Sequence, residues 1–454
     1  MTIDRSKRPL SDEKINFIVP VVQKFSLQNG LKIYFSEKND LPIVRINFLV
    51  NCGSKSDPEN LKGLNNLLAM CIDEGAGNFN ALQLADEFEM LGAQFSVSSD
   101  NDITVISLQV LSEYFIRALK LLVSVISEPQ LAETDFNREK NKVLARLQQV
   151  KTEPDYLAEI SFQYLLFGSN SPYAYPGLGI EQTVPNIHVE SMRNIYQMRF
   201  SPFNSSLVVV GNIDSKSLQK ELSDAFGNWN VESAFKEPPL NLGKSGRKVF
   251  IINKKNAVQT EIRTGHLTSK RNPFDFFQKQ IINLVLGGQF SSRLNLNLRE
   301  KNGYTYGVNS RFNYLQEAGY FAVSTSVDVE NTINALKEIN AEIIRIKEGI
   351  TRDEINFAKS SLTKRFPANF ETYRQIAGNI SSKIIHNLPD DYFETYIERV
   401  NSVSLDDINK ITINSIHPEE LITVLVGDSN RILGQINKDE FGEIFVLNFE
   451  DVFK

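Results

Sequence analysis

Leu298-Arg299-Glu300-Lys301-Asn302-Gly303-Tyr304-Thr305-Tyr306-Gly307-Val308 is the stretch that decides how this chain is read. It reads as the end of a helix carrying Arg299, a turn that Gly303 permits, and a strand beginning at Tyr306. A guanidinium at a helix end and a phenol at a strand start can converge on one point, although six residues separate them. Arginine brings a fork of donors that stays charged at any physiological pH. Tyrosine brings one hydroxyl, which can donate to an oxyanion as it develops. Tyr304 falls in the turn and reads as a packing aromatic.

Upstream, Leu286-Gly287-Gly288-Gln289-Phe290-Ser291-Ser292-Arg293-Leu294 links two helices. Its glycines are expected to supply positive φ and close backbone approach, and Ser291 or Ser292 to cap the following helix. Leu294, Leu296 and Leu298 do not share one helical face, so packing there is expected on two sides. Downstream, Tyr320, Ala322, Ser324 and Ser326 alternate as in a strand, either an edge able to accept an extended peptide or, as is more common, plain sheet. Phe370-Glu371-Thr372 starts a further helix, and Tyr173 to Gly179 reads as a structural turn.

A weak repeat of about 217 residues organises the rest. Val110-Leu111-Ser112-Glu113 followed by Ala118-Leu119-Lys120 resembles Val327-Asp328-Val329-Glu330 followed by Ala335-Leu336-Lys337. Phe136 to Leu147 likewise resembles Ile355 to Phe366, with Arg146 opposite Arg365. The division that follows is a first domain over 1–228, a Pro- and Gly-bearing linker over 229–247, and a homologous second domain over 248–454. Each half reads as α+β, with strands and helices interleaved by short turns: a mixed sheet with helices packed on one face. In the first, Val44, Ile46, Phe48 and Val50 alternate with Arg45, Asn47 and Leu49 as in a half-buried strand. Asp57-Pro58-Glu59 then opens a helix whose face is Leu61, Leu64, Leu68 and Cys71.

At 454 residues with 41% apolar and 23% charged side chains, the composition is that of a globular protein with more than one core. A net charge of −6 without a basic stripe argues against nucleic acid as a partner. No run reaches the roughly 18 apolar residues of a membrane span. Met1 to Pro20 lacks a secretory apolar stretch, so a cytoplasmic location is expected, or a periplasmic one if a leader has been removed. Cys52 and Cys71 read as buried thiols. The histidines, His188, His266, His386 and His417, are scattered, so no local zinc site is expected.

Together, the Gly-Gly link and the Leu-Arg-Glu-Lys-Asn-Gly-Tyr-Thr-Tyr run resemble the second half of the pitrilysin/insulinase zinc peptidases, and the resemblance to that family extends over roughly residues 25 to 430, nearly the full chain. The resemblance implies a clam-shell of two homologous halves, in which Arg299 and Tyr306 hold the substrate and Gly287, Gly288 and Ser292 belong to a substrate-binding loop. In that family an inverted His-x-x-Glu-His helix in the first half carries the metal. The matching positions here are Asn66, Ala69 and Met70, and the third ligand's position matches Arg146, with an accompanying acid kept as Glu139. These residues supply no imidazole and no general base, and Arg146 would oppose a divalent cation.

The surrounding frame is similar to the ligand-free companion subunits of bacterial two-protein members. The resemblance therefore implies a substrate-binding subunit, inactive alone and without a cofactor of its own. It would pair with a zinc-bearing partner to hydrolyse short unfolded peptides, such as leader peptides trimmed during maturation. The alternative is a catalytically dead structural or peptide-binding scaffold. An independent enzyme is disfavoured, since Ser291 and Ser292 have no histidine near them in sequence.

Overall fold

A computed structural model describes residues 17–231, 239–243, 246–436 and 438–453. Two six-stranded mixed sheets carry the molecule. The first contains β1 (Gln23–Ser26), β2 (Lys32–Glu37) and β3 (Ile43–Val50). A small hairpin, β4 (Gly75–Ala76) and β5 (Phe79–Asn80), stands apart from it. With β6 (Gln94–Ser99), β7 (Thr104–Leu111) and β8 (Ser205–Gly211), the first sheet runs β1-β2-β8-β3-β7-β6.

The second sheet is built from β9 (Lys248–Asn253), β10 (Gln259–Thr268), β11 (Val308–Tyr314), β12 (Gly319–Asp328), β13 (Ile422–Gly427) and β14 (Glu443–Leu447). It runs β11-β12-β10-β13-β9-β14, which read from the other edge repeats the first order in five strands; the sixth differs, β1 preceding β2 and pairing antiparallel, β14 coming last and pairing parallel with β9. In both sheets the closing strand pairs parallel with one neighbour and antiparallel with the other. The repeat inferred from sequence is therefore a structural one.

Helices cover one face of each sheet. In the first half these include α1 (Leu64–Cys71), α2 (Ala81–Met90), α3 (Phe115–Ser127) and α4 (Glu133–Val150). Ala118, Leu119, Leu122, Val125 and Ile126 of α3 bury one stripe in the core that also holds Val44, Ile46 and Phe48 of β3. A Leu, Ile or Phe side chain removed from water in this way contributes roughly 1.5–3 kcal/mol.

The opposite faces are covered by exchange. The helix α5 (Pro154–Phe167) leaves the first half and packs on β10 and β13 of the second sheet through Leu157, Ala158 and Phe162. The chain continues through α6 (Val189–Arg199) and α7 (Ser215–Phe226). In the second half follow α8 (Phe276–Leu286), α9 (Thr332–Arg345), α10 (Arg352–Arg365) and α11 (Tyr373–Ile385). Reciprocally, α11 packs on β3 and β8 of the first sheet, where Tyr373, Ile376, Ala377 and Ile380 meet Leu49, Val208 and Val210.

Two expectations change and one open alternative is settled. The strand β3 is buried on both faces rather than one, because α11 covers Arg45, Asn47 and Leu49. The strand β12 is not an edge: β10 and β11 flank it, and Tyr320 packs against Phe162 and Phe167. Trp229, expected at the start of the linker, lies in the first core against Phe48 and Phe226. Within that expected linker, residues 232–238 and 244–245 lie outside the described residues, as do residues 1–16 of the polar start. Among the described residues, no helix is long and apolar enough to cross a membrane.

Candidate functional site

The segment from Gly287 to Val308 is held by buried amides. Gly287 and Gly288 both donate to the carbonyl of Asn283, at 2.9 and 2.7 Å. Neither has positive φ, contrary to expectation; they are glycines because space is short. A Cβ on Gly287 would lie 2.6 Å from Ser310 Oγ, and one on Gly288 would lie 2.6 Å from Asn283 Nδ2. Ser292 is buried, and its Oγ accepts from Asn295 Nδ2 at 3.2 Å. Gly287 and Ser292 thus sit beneath the surface and hold the segment, while Phe290 and Ser291 face solvent.

Asn295 to Lys301 winds as a π-helix, where an α-helical end was expected. The amide of Asn302 donates to the carbonyl of Asn297 at 3.0 Å, and Leu294 and Leu298 are fully buried. Such wide turns occur mostly as single-turn bulges within α-helices, frequently at functional sites. Two buried asparagines fix this one. Asn295 Nδ2 donates to the carbonyl of Val308 at 2.8 Å, and its Oδ1 accepts the Val308 amide at 3.2 Å. Asn297 Nδ2 donates to Glu338 and Glu342 of α9, at 2.8 and 2.7 Å. Arg293 grips Glu354 with two bonds at 2.7 and 2.8 Å, which press that carboxyl down to about 2.

From this anchored turn Arg299 emerges with its side chain 37% exposed. Its guanidinium lies 4.3 Å over the ring of the exposed Phe290, and Glu300 approaches its Nε only to 3.5 Å. Gly303 makes the turn at φ +66, and Tyr304 packs on the core as expected. Tyr306 precedes the strand rather than beginning it, since β11 starts at Val308. It is 95% exposed and makes no hydrogen bond within the described residues. Its neighbours, in contrast, are pinned. Thr305 Oγ1 donates to the carbonyl of Ser326 at 2.8 Å, and Thr325 Oγ1 donates to that of Gly307 at 2.9 Å. Arg299 and Tyr306 are brought to one surface segment without touching each other: no hydrogen bond or ring contact joins them.

The first-half helix is arranged differently. Its start is capped by Asp57, whose Oδ2 accepts the Gly63 amide at 2.8 Å and whose Oδ1 accepts the Asn65 amide at 2.9 Å. Burial pushes the Asp57 carboxyl up to about 6. Asn66 and Met70, the positions of the two histidines in the resembled motif, contact each other through Nδ2 and Sδ at 3.6 Å, and Ala69 is buried. On α4, which packs against α1, Arg146 binds Glu153 with both terminal nitrogens, at 2.5 and 2.8 Å. Glu139 is buried and accepts from Lys142 at 2.7 Å. An amide, a methyl, a thioether and a guanidinium do not fit a zinc ion. Among the described residues, no group of three or more His, Cys, Asp or Glu could hold a metal. Cys52 and Cys71 are free and buried.

Sequence reasoning missed the two asparagines, whose burial no periodicity marks, and also a histidine contact. His266 and His417 lie with ring centres 5.2 Å apart. His266 Nε2 accepts the His417 amide at 3.1 Å, so its Nδ1 carries the proton and donates to the Leu267 carbonyl at 2.9 Å. Burial depresses this imidazole to about 4. Both ring nitrogens are therefore engaged within the fold.

Residues 33–168 match the model of insulinase (peptidase family M16), and residues 186–362 match that of the peptidase M16 inactive domain. An uncharacterized zinc protease YmxG of Bacillus subtilis is 23% identical over 421 residues, 91% of this chain and 100% of that one. A non-peptidase homolog YmxG of Helicobacter pylori is 25% identical over 84% of this chain and 88% of that one. In fold, the chain is similar to a peptidase M16 inactive domain from Pseudomonas fluorescens, with a TM-score of 0.84 and 24% identity over 90% of this chain and 98% of that one. The two family models together span more than half of the chain, and the helix expected to hold metal carries Asn66, Ala69 and Met70. The chain belongs to the insulinase family, peptidase family M16, as a member of the inactive kind.

Proposed function

We propose that this chain is the metal-free, substrate-gripping subunit of a two-protein zinc metallopeptidase that cuts short unfolded peptides. The observation that carries the reading is Tyr306. Its hydroxyl is unpartnered on a side chain 95% exposed, while the backbone on either side is fixed by Thr305, Thr325 and Asn295. A phenol on a pinned backbone, with no partner inside the chain, is suited to donate to something outside it. Arg299, laid on Phe290 and only loosely paired with Glu300, keeps its donors available for a peptide carbonyl.

In this reading a zinc-bearing relative brings the metal and the general base. This chain closes the chamber and aims its two donors at the bound peptide. Tyr306 stabilises the oxyanion as it forms, and Arg299 positions the carbonyl; removing one such donor costs about 3–4 kcal/mol of transition-state stabilisation. Co-expression with a zinc-bearing relative and a peptide-hydrolysis assay tests the reading. This chain alone is expected to be inactive. Tyr306→Phe and Arg299→Ala are each expected to cut the rate of the mixture by about a hundredfold or more while leaving assembly intact. Full activity in both variants would assign the chain a scaffold role instead.

A further inference from the structure

One buried side chain ties the Gly287–Ser292 turn to the segment that carries Tyr306. Asn295 Nδ2 donates to the Gln289 carbonyl at 3.2 Å and to the Val308 carbonyl at 2.8 Å. The Ser292 amide reaches the same Gln289 carbonyl at 3.1 Å. The backbone that presents Phe290 is therefore fixed on the frame from which Arg299 also emerges. Phe290 is 63% exposed, and the Arg299 guanidinium lies 4.3 Å from its ring centroid.

Arg271 makes the same kind of stack inside the fold. Its guanidinium lies 4.0 Å from the ring centroid of the buried Phe276, and its Nη2 donates to the Tyr392 hydroxyl at 2.6 Å. There the core takes up both the ring and a donor. At the surface stack the donors are left over: Arg299 makes no hydrogen bond among the described residues, and Glu300 stays 3.5 Å from its Nε. An aromatic face attracts the cation and limits its swing, while the N–H groups, which lie in the guanidinium plane, need not be spent on the ring. An exposed arginine without such a support would have its long side chain ordered only when a ligand arrives, at a cost to binding.

We propose that Phe290 is a positioning residue, whose ring holds the Arg299 guanidinium ready for the peptide carbonyl; this rests on the role proposed for Arg299. A double-mutant cycle on peptide hydrolysis by the co-expressed pair tests it, with Phe290→Leu and Arg299→Ala. Phe290→Leu keeps apolar bulk but loses the aromatic face, and is expected to lower kcat/KM about fivefold. Phe290→Tyr, which keeps a ring, is expected to recover most of that loss. Once Arg299 is alanine, Phe290→Leu is expected to cost nothing further. A second readout uses the full chain alone, labelled at arginine: the Arg299 side-chain NMR resonances are expected to lie upfield through the ring current and to return toward ordinary values in Phe290→Leu. An equal loss from Phe290→Leu in both backgrounds would show that the ring acts on its own account, and would overturn the proposal, as would Arg299 resonances that do not move. An impaired Arg299→Ala beside an unimpaired Phe290→Leu removes this inference alone. Parental activity in Arg299→Ala removes the role of Arg299 and this one with it.

Discussion

The start of α1 and the turn carrying Tyr306 are both held by buried polar side chains, but they differ in what is left over. At α1 everything is used internally: Asp57 caps the helix, Asn66 touches Met70, and Arg146 is taken by Glu153. At the second site Asn295 and Thr305 pin the backbone, while Tyr306 and Arg299 keep donors that the fold does not consume. A region that has turned inward spends its polar groups on itself. A region with an external task holds a rigid frame and leaves valences open.

The largest expected effect tests the inward-turned side. Asp57→Ala orphans the buried amides of Gly63 and Asn65, and should lower stability by about 3 kcal/mol in urea denaturation. A change below about 1 kcal/mol would show that water replaces the cap and that the helix start is less closed than described. Next comes the frame of the second site. Asn295→Ala removes the bonds to both polar groups of Val308 and should cost about 2 kcal/mol. The Val308 amide should then exchange hydrogen faster, and the Tyr306 turn should loosen with it. Unchanged exchange would mean that Thr305 and Thr325 hold the turn by themselves.

The halves also differ in how they respond to acid, with opposite sign. In the first, burial raises Asp57 and Asp73 to about 6. Their protonated forms are favoured in the folded state, so their contribution to stability grows as pH falls from about 6 toward their unfolded value near 4. In the second, burial lowers His266 and His386 to about 4. The unfolded chain binds those protons first, so stability is lost as pH falls from about 6.5 to 4. Counted from the glycines that end β8 and β13, Val50 of β3 holds the place that His266 holds in β10, and His266→Val borrows the first half's residue. The variant should shed about one proton from the slope of stability against pH in that window, roughly 1.4 kcal/mol per pH unit. An unaltered slope would mean that His266 is already protonated in the folded chain.

What was legible from sequence follows the range of the signal. The strand through Tyr320 to Ser326 and the helix start at Phe370-Glu371-Thr372, which Thr372 caps, were readable because periodicity and capping act within a few residues. That the alternation in β3 has no solvent face was not readable, because its cover, α11, lies more than 300 residues away. The strand β12 is interior for a nearer reason, since its hairpin partner β11 and the strand β10 pair along its two sides. At the candidate site Arg299 and Tyr306 were picked out by a local run. Asn295 and Asn297 were not, because a buried amide and an exposed one look alike in sequence, and a π-turn has no periodic signature of its own.

The smallest expected effect is the sharpest test of the contrast. Tyr306 contributes no hydrogen bond and little buried area, so Tyr306→Phe, or even Tyr306→Ala, should leave the denaturation midpoint within about 0.5 kcal/mol of the parent. A residue neutral to stability yet decisive for hydrolysis in the assembled pair can act only on what the chain binds, because the fold gains nothing from it. If Tyr306→Ala instead destabilised the isolated chain as much as Asp57→Ala, its hydroxyl or ring would have to be packed in solution. The second site would then be as inward-turned as the first, and its open valences would not exist.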